Sequence, residues 1–171
     1  MSIVAVRIYD DEIIIAADSI TVRGGGTQSK GGETKFVKLF DMNGMIIGGV
    51  GWCEELSLMQ LFAQTTKPSR ADSLGILDFM AQFSSWKNNK ITKPDIDNDY
   101  IIVFDRRVFS VNGWFVNEVT GYEAIGAGED YALAAMYLGH DPKEAVEVAC
   151  ELSIYCEKPI IEYKVRKRDL K

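Results

Sequence analysis

The chain opens on two apolar stretches. Ser2 to Ile8 is rich in β-branched residues, Tyr9-Asp10-Asp11 interrupts it, and Ile13-Ile14-Ile15-Ala16-Ala17 follows within Glu12 to Asp18. Apolar runs without alternation predict strands covered on both faces. Lys35 to Phe40 and Met45 to Gly49 flank Asn43-Gly44, a pair that favours the tight turn of a hairpin. The period then changes. Leu58, Leu61 and Phe62 recur at helical spacing in Glu54 to Thr65, behind two acids in the first turn. In Ala71 to Trp86, Leu74, Ile76, Leu77, Met80, Ala81 and Phe83 occupy much of the circumference and predict a second helix. Polar Lys87 to Asn98 reads as a loop. Strands return at Tyr100 to Asp105, Arg107 to Asn112, about Trp114 to Val116, and Glu123 to Ile125. Glu129 to Leu138 predicts a third helix. Asp141-Pro142 with Glu144 predicts the start of a fourth, running to about Tyr155. Ile160 to Val165 is the last strand.

The order is strands, two helices, strands, two helices, strand. Sheets apolar on both faces need cover on both, and two sheets packed together, each backed by a helix pair, provide it. This predicts an α+β chain, a four-layer αββα sandwich, with one domain over residues 1–171. The apolar surface on 54–65 and 71–86 exceeds what one sheet face hides, which predicts an interface there. Gly24-Gly25-Gly26 and Gly31-Gly32 form a loop that lacks the lysine and Ser/Thr ending of a phosphate cradle.

Composition narrows the function. Apolar residues make up 47% and charged residues 26% of the chain, as in globular proteins. A net charge of −6, with 19 basic and 25 acidic residues, leaves no basic face for nucleic acid. The basic run from Lys164 to Lys171 reads as a solvated tail. No run of about 20 apolar residues suits a membrane, and no signal-peptide pattern opens the chain. Cys53, Cys150 and Cys156 are scattered, as buried small residues in a reducing, cytoplasmic setting would be. The single histidine, His140, lies in a loop ahead of a helix. It makes a two-histidine metal site impossible within one chain. Neither metal nor cofactor is expected.

Several segments, in order and at matching spacing, carry a resemblance. They are Ser2-Ile3-Val4-Ala5-Val6-Arg7, Ile15-Ala16-Ala17-Asp18-Ser19, Lys35-Phe36-Val37-Lys38-Leu39, Ile47-Gly48-Gly49-Val50-Gly51, Ala124-Ile125-Gly126-Ala127-Gly128 and Pro142-Lys143-Glu144-Ala145-Val146. Together they resemble the proteasome β-type subunits, and most of all the bacterial HslV-like members of that N-terminal-nucleophile family. The resemblance implies a ring-forming peptidase of polypeptide substrates, with room for an ATPase or cap partner. It implies Ser2 as nucleophile once Met1 is removed, the Ser2 α-amino group as base, and Asp18 and Lys35 as the supporting pair. Gly48 would supply the oxyanion N–H, with Gly49 as the alternative register.

The chemistry suits those residue types. A serine needs a base, and a free α-amino group, with a pKa of about 7.7–8.0, is partly neutral near pH 7. A lysine cation beside it stabilises developing alkoxide charge. The chain departs from the family pattern at three points. Ser2 stands for the usual threonine, Ala127 for a serine that contacts the amine, and Glu151 for an aspartate. A chain that keeps Met1 has no free amine at Ser2. Two other readings therefore stand beside the peptidase: an inert ring or scaffold protein with Met1 retained, and a small-molecule amidase.

Overall fold

The computed structural model describes residues 2–23, 27–29 and 37–166. Strand β1 (Val4–Ile8) pairs antiparallel with β2 (Glu12–Ala17) on one side and β10 (Tyr122–Ile125) on the other. Strand β11 (Ile161–Arg166) adds to the outer edge of β2, completing a four-stranded sheet. The second sheet runs β5 (Leu39–Met42), β6 (Met45–Val50), β7 (Asp99–Phe104), β8 (Arg107–Asn112) and β9 (Phe115–Val119), each antiparallel to the next. Asn43 and Gly44 both have positive φ, 54° and 77°, as the tight β5–β6 turn requires.

Alternation of side chains across each strand explains the continuous apolar runs. Val4, Val6, Ile13 and Ile15 point into the gap between the sheets, where they meet Leu39, Ile46, Ile101 and Val103. Their neighbours Ile3, Ala5 and Ala16 point the other way, onto α3 (Glu129–Tyr137) and α4 (Pro142–Leu152). On the far side Ile47, Tyr100, Ile102 and Phe109 receive α1 (Cys53–Ala63) and α2 (Ser73–Ile91) through Met59, Phe62, Phe79 and Phe83. The layers are therefore α, β, β, α, as the pattern predicts. Asp141 caps α4 with the reciprocal Glu144 contact, also as predicted.

Some boundaries differ. Helix α2 runs to Ile91, so Lys87 is helical and fully buried, not part of a polar loop. A buried lysine needs a carboxylate, and Glu55 of α1 provides it at 2.5 Å. Helix α4 ends at Leu152, three residues short of the predicted end. A hairpin of β3 (Thr21–Arg23) and β4 (Thr27–Ser29) follows β2 where the pattern gave none. The glycine-rich stretches 24–26 and 31–32, like Lys35, lie outside the described residues. Helices α1 and α2 bury most of their apolar side chains, leaving Leu61 and Leu74 exposed. More exposed apolar surface lies around α3 and α4, at Tyr131, Tyr137, Leu138 and Leu152. No described helix is long and apolar enough to cross a membrane.

Candidate active site

Four chain segments converge beside the head of β1. Ser2 precedes that strand and is buried. Asp18 follows the last residue of β2, opposite Ile3, and the two backbones lock together. The Ile3 N–H donates to Asp18 Oδ1 at 3.0 Å, and the Asp18 N–H donates to the Ile3 carbonyl at 3.2 Å. Asp18 Oδ2 accepts the N–H groups of Ile20 and Glu157, each at 3.2 Å. The carboxylate is wholly buried and thus held by three backbone donors before any side chain reaches it.

The cation that reaches it is Lys38. Its Nζ lies 2.8 Å from Asp18 Oδ1, the oxygen that also holds the Ile3 N–H. Lys38 immediately precedes β5 and is 3% exposed, so the ammonium has no alternative solvation shell. Burial pulls its pKa below the ordinary lysine value, and the Asp18 carboxylate pulls the other way. Lys38 stands in the same matching segment as Lys35, three residues on. Its signal was a lysine directly ahead of an apolar strand. The described residues therefore bring Ser2, Asp18 and Lys38 together.

The glycines of β6 border this cluster. A Cβ built on Gly48 would lie 2.7 Å from Val4 Cγ1, and one on Gly49 would strike Leu56 and Tyr100, so the strand is stripped to glycine where β1 and α1 press closest. The Gly49 N–H donates to the Lys38 carbonyl at 2.9 Å. In an antiparallel ladder neighbouring amides point to opposite edges. Gly48, paired with Ile101, therefore turns its N–H towards β7, away from Lys38. From the other side Gly128 donates to the Ser2 carbonyl at 3.3 Å. The side chain of Ala127, between Gly126 and Gly128, is a methyl group with no hydrogen-bonding atom.

The remaining candidates separate from the cluster. Glu151 is exposed and accepts from Lys158 at 2.9 Å. His140 is exposed and lies 3.2 Å from Glu144. Cys156 is buried, while Cys53 and Cys150 are half-buried, so the expectation of three buried cysteines holds for one. Burial first and the Asp18 carboxylate second push the Cys156 thiol up to about 11 and Cys150 to about 12. Such thiols are poor nucleophiles at neutral pH. Among the described residues no group of His, Cys, Asp and Glu suits a metal ion.

No protein-family model and no curated protein matches the chain. Solved structures do. The Thiobacillus denitrificans BPH in complex with epoxomicin superposes over 99% of both chains with a TM-score of 0.87 at 20% identity. Trypanosoma brucei HslV matches 96% of this chain and 99% of its own, with a TM-score of 0.71 at 16% identity. Anbu from Yersinia bercovieri matches 99% of this chain and 83% of its own, with a TM-score of 0.73 at 13% identity. At such identities the likeness speaks for architecture, and the chain has the proteasome-like N-terminal-nucleophile fold.

Proposed function

We propose that the chain is a serine-type N-terminal-nucleophile peptidase subunit, active once Met1 is removed. The observation that carries the reading is the shared oxygen of Asp18. It fixes the backbone of Ile3 and a buried lysine at one point, beside a buried serine at position 2. The backbone of Ser2 adds support. Its φ is 146°, in a region L-residues seldom occupy, whereas a chain that begins at Ser2 has no φ to strain.

In the proposed reaction the free α-amino group takes the Ser2 hydroxyl proton as Oγ attacks the peptide carbonyl carbon. Lys38 stabilises the developing negative charge, and Asp18 keeps that lysine protonated and in place. The C–N bond then breaks, the departing amine takes the proton, and water hydrolyses the acyl ester. An N–H of β6 meets the oxyanion. The Gly49 amide, on the Lys38 edge, is better aimed for this than Gly48, and exchanges its carbonyl partner for the substrate oxygen. Because Ala127 cannot hydrogen-bond the amine, water takes that place.

Polypeptides are the proposed substrates, and self-association into a closed ring follows from the same reading. The exposed Tyr137, Leu138 and Leu152 beside α3 and α4 give such an assembly an apolar face to cover. One feature of the sequence favours a second reading, an inert ring protein that keeps Met1: Ala127 stands where the resemblance places a serine that contacts the amine. Intact mass after exposure to epoxomicin, a peptide epoxyketone, separates the two. The peptidase gives chains lacking Met1 and one adduct per Ser2, absent from Ser2→Ala. Chains shown to begin at Ser2 that neither take the adduct nor cleave peptides would leave the inert reading in its place.

A further inference from the structure

A second buried polar cluster lies on the other side of the second sheet. Glu55, in the first turn of α1, is 4% exposed, and its carboxylate is fully engaged. Oε1 accepts from the Asn98 N–H at 3.1 Å and the Tyr100 hydroxyl at 3.0 Å. Oε2 accepts from Lys87 Nζ at 2.5 Å and the Asp97 N–H at 3.2 Å. Lys87 also donates to the Asp95 carbonyl. The segment from Asp95 to Asn98 is thereby tied to two helices and ends in a buried asparagine.

Asn98 uses its side chain elsewhere. Its Oδ1 accepts the Trp52 N–H at 2.6 Å, and its Nδ2 donates to the Trp52 carbonyl at 2.9 Å. One amide thus grips both backbone groups of the second residue after β6, the one that leads into α1. Gly51, just before, sits at a φ of 124°, and a Cβ there would collide with the Asn98 amide. Only glycine fits that turn. The strand held this way borders Ser2. A Cβ built on Gly126 would lie 3.1 Å from Val50 Cγ1 and 3.1 Å from the Ser2 carbonyl carbon.

We propose that Asn98 is a positioning residue for the Ser2 site: its grip on Trp52 fixes where β6 ends and so aims the Gly49–Gly51 edge, and the Glu55–Lys87 pair holds Asn98 in register. This rests on the peptidase reading for its kinetic consequence, while its structural half stands alone. Asn98→Ala removes the grip and leaves Ser2, Asp18 and Lys38 untouched. With chains that begin at Ser2, kcat for a fluorogenic peptide and the rate of epoxomicin labelling should both fall about 10- to 100-fold, with KM within about twofold, as expected when oriented donors drift. Hydrogen exchange of residues 49–53, followed by mass spectrometry, should rise at least about tenfold, with 4–8 and 12–17 unchanged. Phe79→Leu, a core change in α2 away from Trp52, supplies a control of lowered stability and should keep kcat. Unchanged exchange at 49–53 overturns the proposal whatever the activity. So does raised exchange with undiminished kcat, or an equal kcat loss in the Phe79→Leu control. A wild-type chain starting at Ser2 but inert towards peptide and epoxomicin defeats the peptidase reading instead, and the exchange result alone then decides whether Asn98 holds the strand.

Discussion

Two lysines are buried against two carboxylates, one on each side of the second sheet, and they differ in how their charges are satisfied. Glu55 and Lys87 belong to a closed network. Two backbone N–H groups, a tyrosine hydroxyl and an ammonium fill the carboxylate, and Lys87 has a carbonyl besides. Asp18 is filled chiefly by backbone, with Lys38 as its side-chain partner, and the pair adjoins a buried serine. The first arrangement suits a clamp between two helices and a strand end. The second leaves a cation beside a potential nucleophile, with burial pulling the lysine towards its neutral form. The two ion pairs thus differ in setting: one is enclosed by its own acceptors, and the other lies at the backbone next to buried Ser2.

Removing each lysine should break the symmetry most sharply. In a chain starting at Ser2, Lys38→Met should lower peptide hydrolysis and epoxomicin labelling by about 10²–10⁴-fold, the range for a group acting directly on proton transfer or charge. Lys35→Ala should stay within about twofold in the same assay; a loss there and not at Lys38 would return the role to Lys35. Lys87→Met should act on stability first. It strands a buried carboxylate, and urea unfolding should show a loss of about 3–5 kcal/mol. Tyr100→Phe is gentler, since Glu55 keeps three other donors. A loss of about 1–2 kcal/mol is expected by the same measurement, with the Ser2 site still reactive.

The smallest effect is a slope. Burial holds the Lys38 pKa below its unfolded value, so between those two values the unfolded chain binds more protons. Stability should therefore rise with pH across that window, and the penalty should be fully present below the folded pKa. Urea titrations at successive alkaline pH values, wild type minus Lys38→Met, should show this positive difference in slope. A negative difference would mean that the Asp18 charge outweighs burial.

Much of the fold was legible because local rules and tertiary needs agree. Runs such as Ile13 to Ala17 had to be covered twice, Asn43-Gly44 had to turn, and Asp141-Pro142 had to start a helix. Lys87 was illegible for the opposite reason. A lysine after Trp86 reads as the start of a polar loop unless one knows that Glu55, thirty-two positions earlier in the chain, stands across from it. Glu151, which the resemblance sets near the place of a family aspartate, lies in the last turn of α4 and is left in solvent with Lys158.

What the sequence by itself determined was the layered architecture and the chemistry available to it: an early serine, an aspartate at the end of the second strand, and nearly no histidine. Periodicity and turn residues are local properties, and they carry that much. Which lysine meets Asp18, which edge each β6 amide faces, and how Asn98 holds Trp52 were decided only in three dimensions. Counting residues cannot decide which lysine meets a carboxylate twenty positions earlier, because the contact is made between separate strands. Packing Lys38 against an already saturated carboxylate is a property of the assembled sheets.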